Sequence, residues 1–533
     1  MKRLAKIFLM SGLWLQPVMM YFFVRAGFWS GPPNYDDSVM WSCLILSFVP
    51  VILLWSGNRG TPSADKAMRG REKATYPEVP ADMLFDTPTG IVFGKYKGKY
   101  VCRPLTLDGH IFVIGGTGTG KSSCIVIPTI LVNAKCRIFA VDIKGELHNK
   151  ATKAGDASVQ AFDPADRNTC GYDPFYALDE TSSTQEILET IQTIAFSLVA
   201  MPASVKDPFW KLSARNLLIG LMMYCYRQGT HDFIGIIDEI LGRPTEEAIQ
   251  TIMETASPTS PEYRYIVQFS SMAEETLGGI VAELYNHLVV FANDMDIRYA
   301  FRDNRQKISP RMLEEGYSIY LAIREEKLTA YYDVMQLIIN QMLAELEKRP
   351  EGSEPIVMII DELPRLLSAG KLDRLLDAMR TLRSRNVCLF LVTQSMEALM
   401  SAYTENEVLD LASNCAYTVV LSATSTRTQK QVVEWCGKYK ERRQSWSGSG
   451  KDRRVTVSYE EKDIVQQSDL MALQTTGEEI LITPYGYSRI KKAPYYLDKT
   501  FAPQAREIWE YNQHVKEIRI EAKSIEQKPE AEN

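Results

Sequence analysis

The sequence predicts an α/β fold in which a parallel sheet is interrupted by an all-helical segment and preceded by two apolar spans. Three observations support this prediction. Short apolar runs, typical of buried strands, alternate with helical stretches between residues 111 and 436. Between residues 179 and 294 strand signals thin out and apolar residues recur at helical spacing. Residues 7–24 and 38–55 are apolar runs without a charged residue.

The two amino-terminal runs are each close to the ~20 residues that cross a bilayer core. Lys2, Arg3 and Lys6 precede the first run, and five basic residues between 59 and 73 follow the second. Because basic flanks stay on the cytoplasmic side, we expect residues 1–56 to form a two-span hairpin with both ends inside. Residues 57–80 resemble a polar linker.

Composition limits the remaining possibilities. The formal net charge is −6, so a nucleic-acid site has to be a local patch and not a property of the whole surface. The nine cysteines include no Cys-x-x-Cys pair and have no clustered histidine partners. We therefore predict neither a zinc site nor a disulfide framework.

The most specific signal is the segment GGTGTGKSS, which lies between a strand-like run and a helix-like run. It matches G-x-x-x-x-G-K-[ST], a loop whose backbone N–H groups surround phosphates. We expect Lys121 to reach the β- and γ-phosphates and Ser122 to ligate Mg²⁺, which predicts ATP with Mg²⁺ as cofactor. The residues expected to hold the nucleotide are Gly115, Gly116, Thr117, Gly118, Thr119, Gly120, Lys121, Ser122 and Ser123.

A second motif ends an apolar run at residues 355–362. There, Asp361 is expected to hold the Mg²⁺ shell and Glu362 to act as the general base on water. Residues 233–239 have a similar outline, FIGIIDE, but a glycine interrupts them and a helix-start signal precedes them. Asp361 and Glu362 are therefore preferred as the second motif.

Polar residues also follow two other predicted strands. Asp142 ends the run 137–142 and Lys144 follows it; a nucleotide or coupling role and a plain salt bridge both stay open for them. Gln394 follows the run 387–393 and is expected to sense the γ-phosphate, with a helix cap as the alternative.

Three arginines precede that last strand, namely Arg380, Arg383 and Arg385. In ring-shaped ATPases an arginine of the neighbouring subunit stabilises charge on the transferring phosphoryl group. Solvation of a helix face is the alternative. Further on, residues 439–458 are rich in Ser, Gly and basic residues and predict a surface loop.

Six segments occur in a specific order along the chain: GGTGTGKSS, VDIKGEL, DPFWKLSARNLL, SSMAEETLGGI, IIDELPRL and LVTQS. Together with the two spans they resemble the TraG/TraD-type coupling ATPases of type IV secretion over nearly the whole chain. The resemblance implies a RecA-like core, an all-α domain and a homo-hexameric ring on an inner-membrane stem. It implies as partners relaxase-bound single-stranded DNA or protein effectors, and the secretion channel.

The resemblance also assigns roles to residues and ranges. Lys121 and Ser122 match the nucleotide motif, Asp361 and Glu362 the second motif, and Gln394 the strand-end glutamine. Arg383 lies where the trans-acting arginine of the family falls. The implied divisions are 1–56 membrane hairpin, 57–80 linker, 81–178 and 295–505 nucleotide-binding domain, 179–294 all-α domain, and 506–533 tail.

The function predicted is an inner-membrane ATPase that passes DNA with its relaxase, or protein effectors, to a secretion channel. Two alternatives stay open. A chromosomal translocase of the FtsK kind usually carries more spans and a carboxyl-terminal winged helix, which this sequence does not suggest. A non-hydrolysing receptor is disfavoured by the intact set Lys121, Ser122, Asp361 and Glu362, and an ATPase assay separates it from the others.

Overall fold

The computed structural model describes residues 78–526, apart from 107, 135, 202–206, 305, 369, 373 and 448–453. The predicted membrane hairpin, 1–56, lies outside the described residues, as do nearly all of the linker and the last seven positions. Among the helices that are described, none has the length and apolar character needed to span a bilayer.

Sixteen strands are described. They are β1 Leu84–Phe85, β2 Ile91–Tyr96, β3 Lys99–Arg103, β4 Ile111–Ile114, β5 Arg137–Asp142, β6 Val159–Phe162, β7 Gly171–Tyr172, β8 Lys307–Ile308, β9 Ser318–Ala322, β10 Ile356–Ile360, β11 Val387–Thr393, β12 Tyr417–Val420, β13 Lys438–Ser447, β14 Arg454–Asp463, β15 Glu478–Thr483 and β16 Gly486–Lys491.

The described α-helices lie between or after these strands, and seven of them follow one another between β7 and β8. They are α1 Ile127–Val132, α2 Glu146–Ala151, α3 Thr184–Leu198, α4 Phe209–Arg227, α5 Phe233–Leu241, α6 Thr245–Thr255, α7 Pro261–Ile266, α8 Glu274–Asn293, α9 Met295–Arg298, α10 Tyr332–Leu346, α11 Leu363–Leu366, α12 Leu375–Thr381, α13 Glu405–Ser413, α14 Thr426–Cys436, α15 Gln467–Thr476 and α16 Phe501–Glu526. A π-helical stretch, Lys121–Val126, leads directly into α1.

Twelve of the described strands form one mixed sheet in the order β1-β3-β2-β16-β15-β12-β4-β11-β10-β5-β9-β6. From β12 to β6 every neighbouring pair is parallel. The other half, from β12 through β15 to β1, is antiparallel. The predicted α/β fold with a mostly parallel sheet is therefore confirmed.

The central strands are buried on both faces. Along β4, Ile111 and Val113 belong to the apolar cluster that contains the helix after the loop, while Phe112 and Ile114 belong to the opposite cluster. A strand covered on both sides needs apolar residues at successive positions. This explains the uninterrupted run IVMII in β10, which made the strand recognisable in the sequence.

Helices α3 to α8 fall within the range predicted to be all-helical. Ser183 begins the first of them, because its hydroxyl accepts from the Glu186 N–H and the Glu186 carboxylate accepts from the Ser183 N–H. Buried residues of these helices, such as Leu217 and Ile280, share one apolar cluster with Phe112 of the sheet. The helical segment thus packs on one face of the sheet, and the predicted domain boundaries stay predictions.

One expectation about the later chain needs correction, and one pair of strands was not predicted. The range 439–458, predicted to be a surface loop, contributes to β13 and β14, which pair with each other in a sheet of their own. The antiparallel strands β15 and β16 were not predicted, because their alternating charged and apolar residues lack the continuous run of a buried strand.

Glu479 is an unusual buried acid in β15. Its side chain is fully buried, and neither carboxylate oxygen has a hydrogen-bond partner among the described residues. Burial raises the pKa of Glu479 to about 8, against the opposing charge of Lys492. The carboxyl is therefore mostly protonated at neutral pH.

We predict that this residue makes stability depend on pH. Its ordinary pKa is 4.5 and its folded pKa is about 8, so folding takes up a proton between these values and stability falls as pH rises through that window. Glu479→Gln should flatten the profile and stabilise the chain by up to roughly 4 kcal/mol at pH 8. Melting temperatures from pH 5 to 9 measure the effect.

Glu478→Gln is the matched control, since the Glu478 carboxylate is partly exposed and pairs with Arg489 at 2.8 Å. The control should retain the parental slope. An equally steep slope in the Glu479 variant would show that another group causes the dependence.

Candidate nucleotide-binding site

The predicted phosphate loop leaves the carboxyl end of β4 and is tied to the neighbouring strand. The N–H of Gly115 donates to the carbonyl oxygen of Thr393, the last residue of β11, at 3.1 Å. Gly118 and Gly120 have φ values of 74° and 99°. These left-handed conformations favour glycine and turn the backbone back over the strand end.

Lys121 folds over the loop from which it emerges. Its Nζ donates to the carbonyl oxygens of Gly115 at 2.9 Å and Gly116 at 3.1 Å. Burial lowers the pKa of Lys121, while the carboxylates of Glu362 and Asp361 oppose that shift. The ammonium therefore lies against carbonyl oxygens of the loop itself.

Ser122 and Asp361 come together although 239 positions separate them. The Ser122 hydroxyl donates to Oδ2 of Asp361 at 3.2 Å. Oδ1 of Asp361 is buried and has no hydrogen-bond partner among the described residues. Burial and the adjacent Glu362 charge raise the pKa of Asp361. A hydroxyl beside an unpaired carboxylate oxygen is a donor set that suits Mg²⁺, a cation that prefers oxygen ligands.

Glu362 follows directly and lies in the left-handed region, with φ 56° and ψ 46°. Two hydrogen bonds and one ion pair fix its carboxylate. Lys144 Nζ donates to Oε1 at 2.9 Å, Gln394 Nε2 donates to Oε2 at 3.4 Å, and Arg365 Nε forms an ion pair with Oε2 at 3.0 Å. Burial alone would raise the pKa of Glu362, but the hydrogen bond and charge of Lys144, together with the charges of Lys121 and Arg365, outweigh burial, and the pKa is lowered. The carboxylate is thus held ionised.

The remaining loop residues have separate positions. The Thr119 hydroxyl donates to the Gly116 carbonyl oxygen at 2.8 Å and closes the loop internally. Thr117 is exposed, and the Ser123 hydroxyl lies 3.9 Å from the sulfur of Cys124.

Arg383 is a predicted site residue that does not lie near the phosphate loop and the second motif. It precedes β11, whereas Gln394 follows that strand. Seven extended residues span roughly 20 Å, so Arg383 lies at the opposite edge of the sheet. Its guanidinium is largely exposed, and its Nε lies 3.8 Å from Oδ2 of Asp108.

The other two arginines of the cluster are engaged by their own chain. Arg380 pairs with Asp410 at 2.5 Å, and the guanidinium of Arg385 donates to the carbonyl oxygen of Arg349. Arg383 is consequently the arginine of this cluster whose contact within the described chain is longest.

Asp142 makes helix-capping contacts that neither of the two alternatives from the sequence anticipated. Its two carboxylate oxygens accept from the N–H groups of Glu146 at 3.0 Å and His148 at 2.9 Å, so Asp142 caps α2. The alternative second motif is also settled, because residues 233–239 lie in helix α5, which Asp232 caps by accepting from the Gly235 N–H.

Two residues at the site were not predicted. Arg365, three positions after Glu362, contacts its carboxylate, and the Ser422 hydroxyl accepts from the Gly116 N–H at 3.2 Å. The only sequence signal for Arg365 was its spacing of one helical turn from Glu362. Ser422 follows β12, which is parallel to β4. The sequence feature that could have indicated Ser422 is its position after that strand.

Residues 65–521 match the profile of a family described as Type IV secretory system Conjugative DNA transfer. The chain belongs to this family. Among curated relatives, Protein VirD4 of Rhizobium radiobacter is 24% identical over 445 residues, covering 77% of this chain and 61% of the relative. Protein VirD4 of Agrobacterium fabrum is 24% identical over 434 residues, covering 77% and 62%. The chain thus spans about three fifths of the length of these relatives.

Solved structures share the fold. The bacterial conjugative coupling protein TrwBdeltaN70 matches with a TM-score of 0.58 at 18% identity, covering 72% of this chain and 84% of that chain. The plasmid coupling protein TrwB in complex with the ATP analogue ADPNP gives 0.57 at 17%, covering 76% and 89%. TrwB in complex with ADP and Mg²⁺ gives 0.56 at 17%, covering 72% and 85%.

We predict that Asp361→Asn removes the Mg²⁺-dependent part of ATP binding, because it deletes a charge beside the buried unpaired oxygen. Charge-assisted contacts contribute about 1.5–3 kcal/mol, so affinity in Mg²⁺ should fall by roughly tenfold or more. Affinity in EDTA should stay close to the parental value. Titration with a fluorescent ATP analogue measures both.

The matched control is Asp238→Asn, which alters the acid of the alternative motif in α5. It should leave both affinities unchanged. If Mg²⁺ strengthens binding to the Asp361 variant as much as to the parent, Asp361 does not serve the metal.

Proposed function

We propose that this chain is the coupling ATPase of a type IV secretion system. It would bind relaxase-linked single-stranded DNA and use ATP hydrolysis to deliver it to the secretion channel. The observation that carries the enzymatic part is the 3.2 Å contact between Ser122 and Asp361, with Glu362 next in the chain. Family membership supports the biological part.

In this proposal the loop 115–123 holds the triphosphate of ATP. Lys121 leaves the carbonyl oxygens of Gly115 and Gly116 and contacts the β- and γ-phosphates. Ser122 and Asp361 would hold Mg²⁺, and the ion would supply positive charge that offsets the charge developing on the phosphates.

Glu362 is the proposed general base, which accepts a proton from the attacking water. Its carboxylate already accepts hydrogen bonds in a fixed orientation, so little reorganisation is needed when water arrives. Gln394 contacts the same carboxylate and lies after β11, which makes it suited to sense the γ-phosphate and relay its loss.

Arg383 is proposed to act on a neighbouring subunit. It lies roughly 20 Å from its own phosphate loop along β11, so it cannot serve that site without unfolding the strand. Its exposed guanidinium is free to approach a second copy of the chain, unlike the engaged groups of Arg380 and Arg385. This geometry supports an assembly of identical subunits in which each site is completed by its neighbour, and we propose that this assembly is a homo-hexameric ring.

The membrane location is part of the proposal. The two charge-free runs within residues 1–56, flanked by basic residues, support an inner-membrane anchor with the bulk of the chain in the cytoplasm. Protein effectors are the alternative cargo. The family description, which names conjugative DNA transfer, favours DNA.

We predict ATP hydrolysis by the full-length chain that single-stranded DNA stimulates. Because DNA binding releases counterions, the stimulation should weaken as salt rises from 50 to 200 mM. Glu362→Gln should lower the rate by at least roughly 100-fold without weakening nucleotide binding. A coupled phosphate-release assay measures the rates.

Parental rates in the Glu362→Gln variant would exclude the proposed base. Hydrolysis that no DNA stimulates at any salt concentration would instead point to protein effectors as cargo.

A mixing experiment tests the trans arginine. Arg383→Ala and Lys121→Ala chains should each be inactive, because one lacks the arginine and the other the phosphate ligand. Mixed in one membrane, they should regain part of the parental rate, since an intact arginine of one chain then faces an intact loop of the other. Arg380→Ala, the control, should stay active alone, and mixtures without any recovery would contradict the trans assignment.

A further inference from the structure

The loop between β5 and α2 presents a lysine to the proposed base. The turn that carries Lys144 is closed by the Gly145 N–H, which donates to the Asp142 carbonyl oxygen at 3.3 Å. Gly145 has φ 64°, a conformation that suits glycine, and the Asp142 carboxylate caps the helix that follows. The backbone at Lys144 is therefore fixed from both sides.

The side chain of Lys144 connects this turn to Glu362. Its Nζ lies 2.9 Å from Oε1 of Glu362, and its side chain is 38% exposed while that of Glu362 is 9% exposed. A charge-assisted contact to a nearly buried carboxylate is stronger than a surface pair. It also orders the carboxylate, because Oε1 then has one defined donor.

The contacts of the second carboxylate oxygen of Glu362, Oε2, are longer or shared with other residues. Arg365 contacts Oε2 of Glu362 but also pairs with Glu325, which follows β9. Gln394 contacts the same oxygen at 3.4 Å, close to the limit of a hydrogen bond. Lys144 is thus the donor that fixes the rotation of the carboxylate, while Oε2 keeps weaker and shared contacts that an incoming water can replace.

The backbone conformation of Glu362 is a second reason why this residue needs contacts such as that of Lys144. A non-glycine residue in the left-handed region costs energy and persists only where its surroundings hold it. The Lys144 contact is one of the interactions that hold it, since it joins Glu362, the second residue after β10, to the turn after the neighbouring strand β5.

We propose that Lys144 is a positioning residue for hydrolysis, whose ammonium orients the Glu362 carboxylate so that Oε2 faces the attacking water. This inference rests on the proposed ATPase function. It gives a role to the segment VDIKGEL, for which the sequence left a coupling role and a plain salt bridge open.

The test compares kinetic constants of full-length variants. Lys144→Met should lower kcat for ATP by roughly 10- to 100-fold, the usual cost of misplacing a catalytic group. KM and the affinity for a non-hydrolysable ATP analogue should stay within about twofold, because Lys144 contacts the base and not the phosphate loop. Lys144→Arg should restore part of kcat.

Lys150→Met is the matched control. Lys150 lies in α2, the helix that follows the Lys144 turn, and is 39% exposed. It pairs with Glu146 at 2.8 Å, so the change removes an equal charge from a neighbouring position. Its kcat should equal the parental value.

A second comparison separates positioning from general support of the fold. In a Glu362→Gln background, adding Lys144→Met should change single-turnover hydrolysis by less than about twofold, because the residue acts through Glu362. A full additional loss, an unchanged kcat in the single variant, or a matching loss of analogue affinity would each overturn the inference.

Failure of the wider proposal has a different signature. If the parental chain binds the analogue but hydrolyses no ATP under any condition, the ATPase function is wrong and the role of Lys144 in it falls too. If the parental chain hydrolyses ATP and Lys144→Met does so equally well, only the inference about Lys144 fails.

Discussion

The hydrogen bond between the Ser122 hydroxyl and the Asp361 carboxylate is the interaction on which the site depends. The strands that precede these residues, β4 and β10, are not neighbours, because β11 lies between them. Adjacent strands are about 4.8 Å apart, so the two strand ends are separated by roughly 10 Å. The phosphate loop bridges that gap by turning over the end of β11, to which the Gly115 N–H is bonded.

This arrangement places two adjacent carboxylates in contrasting surroundings. Asp361 is buried beside a hydroxyl with one oxygen unpaired, and its pKa is raised by that burial. Glu362 is also buried, yet Lys144 and other cations lower its pKa. The Asp361 carboxylate therefore has too few cationic neighbours and is suited to bind a metal ion. The Glu362 carboxylate already has cationic neighbours and is suited to stay ionised.

Much of the sheet was predictable, because strands buried on both faces need continuous apolar runs, as in β4, β10 and β11. The residues that end these strands were predictable for the same reason. Strand order was not, since no local pattern states that β11 separates β4 from β10. The Glu362 carboxylate is contacted by residues from three separate segments, and the sequence does not show that these segments meet. For Arg365, only its spacing of one helical turn from Glu362 indicated a contact. The strands β13 and β14 were not predicted, because their segment is rich in Ser, Gly and basic residues, which favour a loop.

The most direct test of the account is a structure of the full-length chain with Mg²⁺ and a non-hydrolysable ATP analogue. We expect the Ser122 hydroxyl oxygen to lie about 2.0–2.1 Å from Mg²⁺. We also expect Lys121 Nζ to contact the phosphates in place of the Gly115 and Gly116 carbonyl oxygens. A nucleotide bound elsewhere, or a Lys121 that keeps its carbonyl contacts beside a bound nucleotide, would contradict the account.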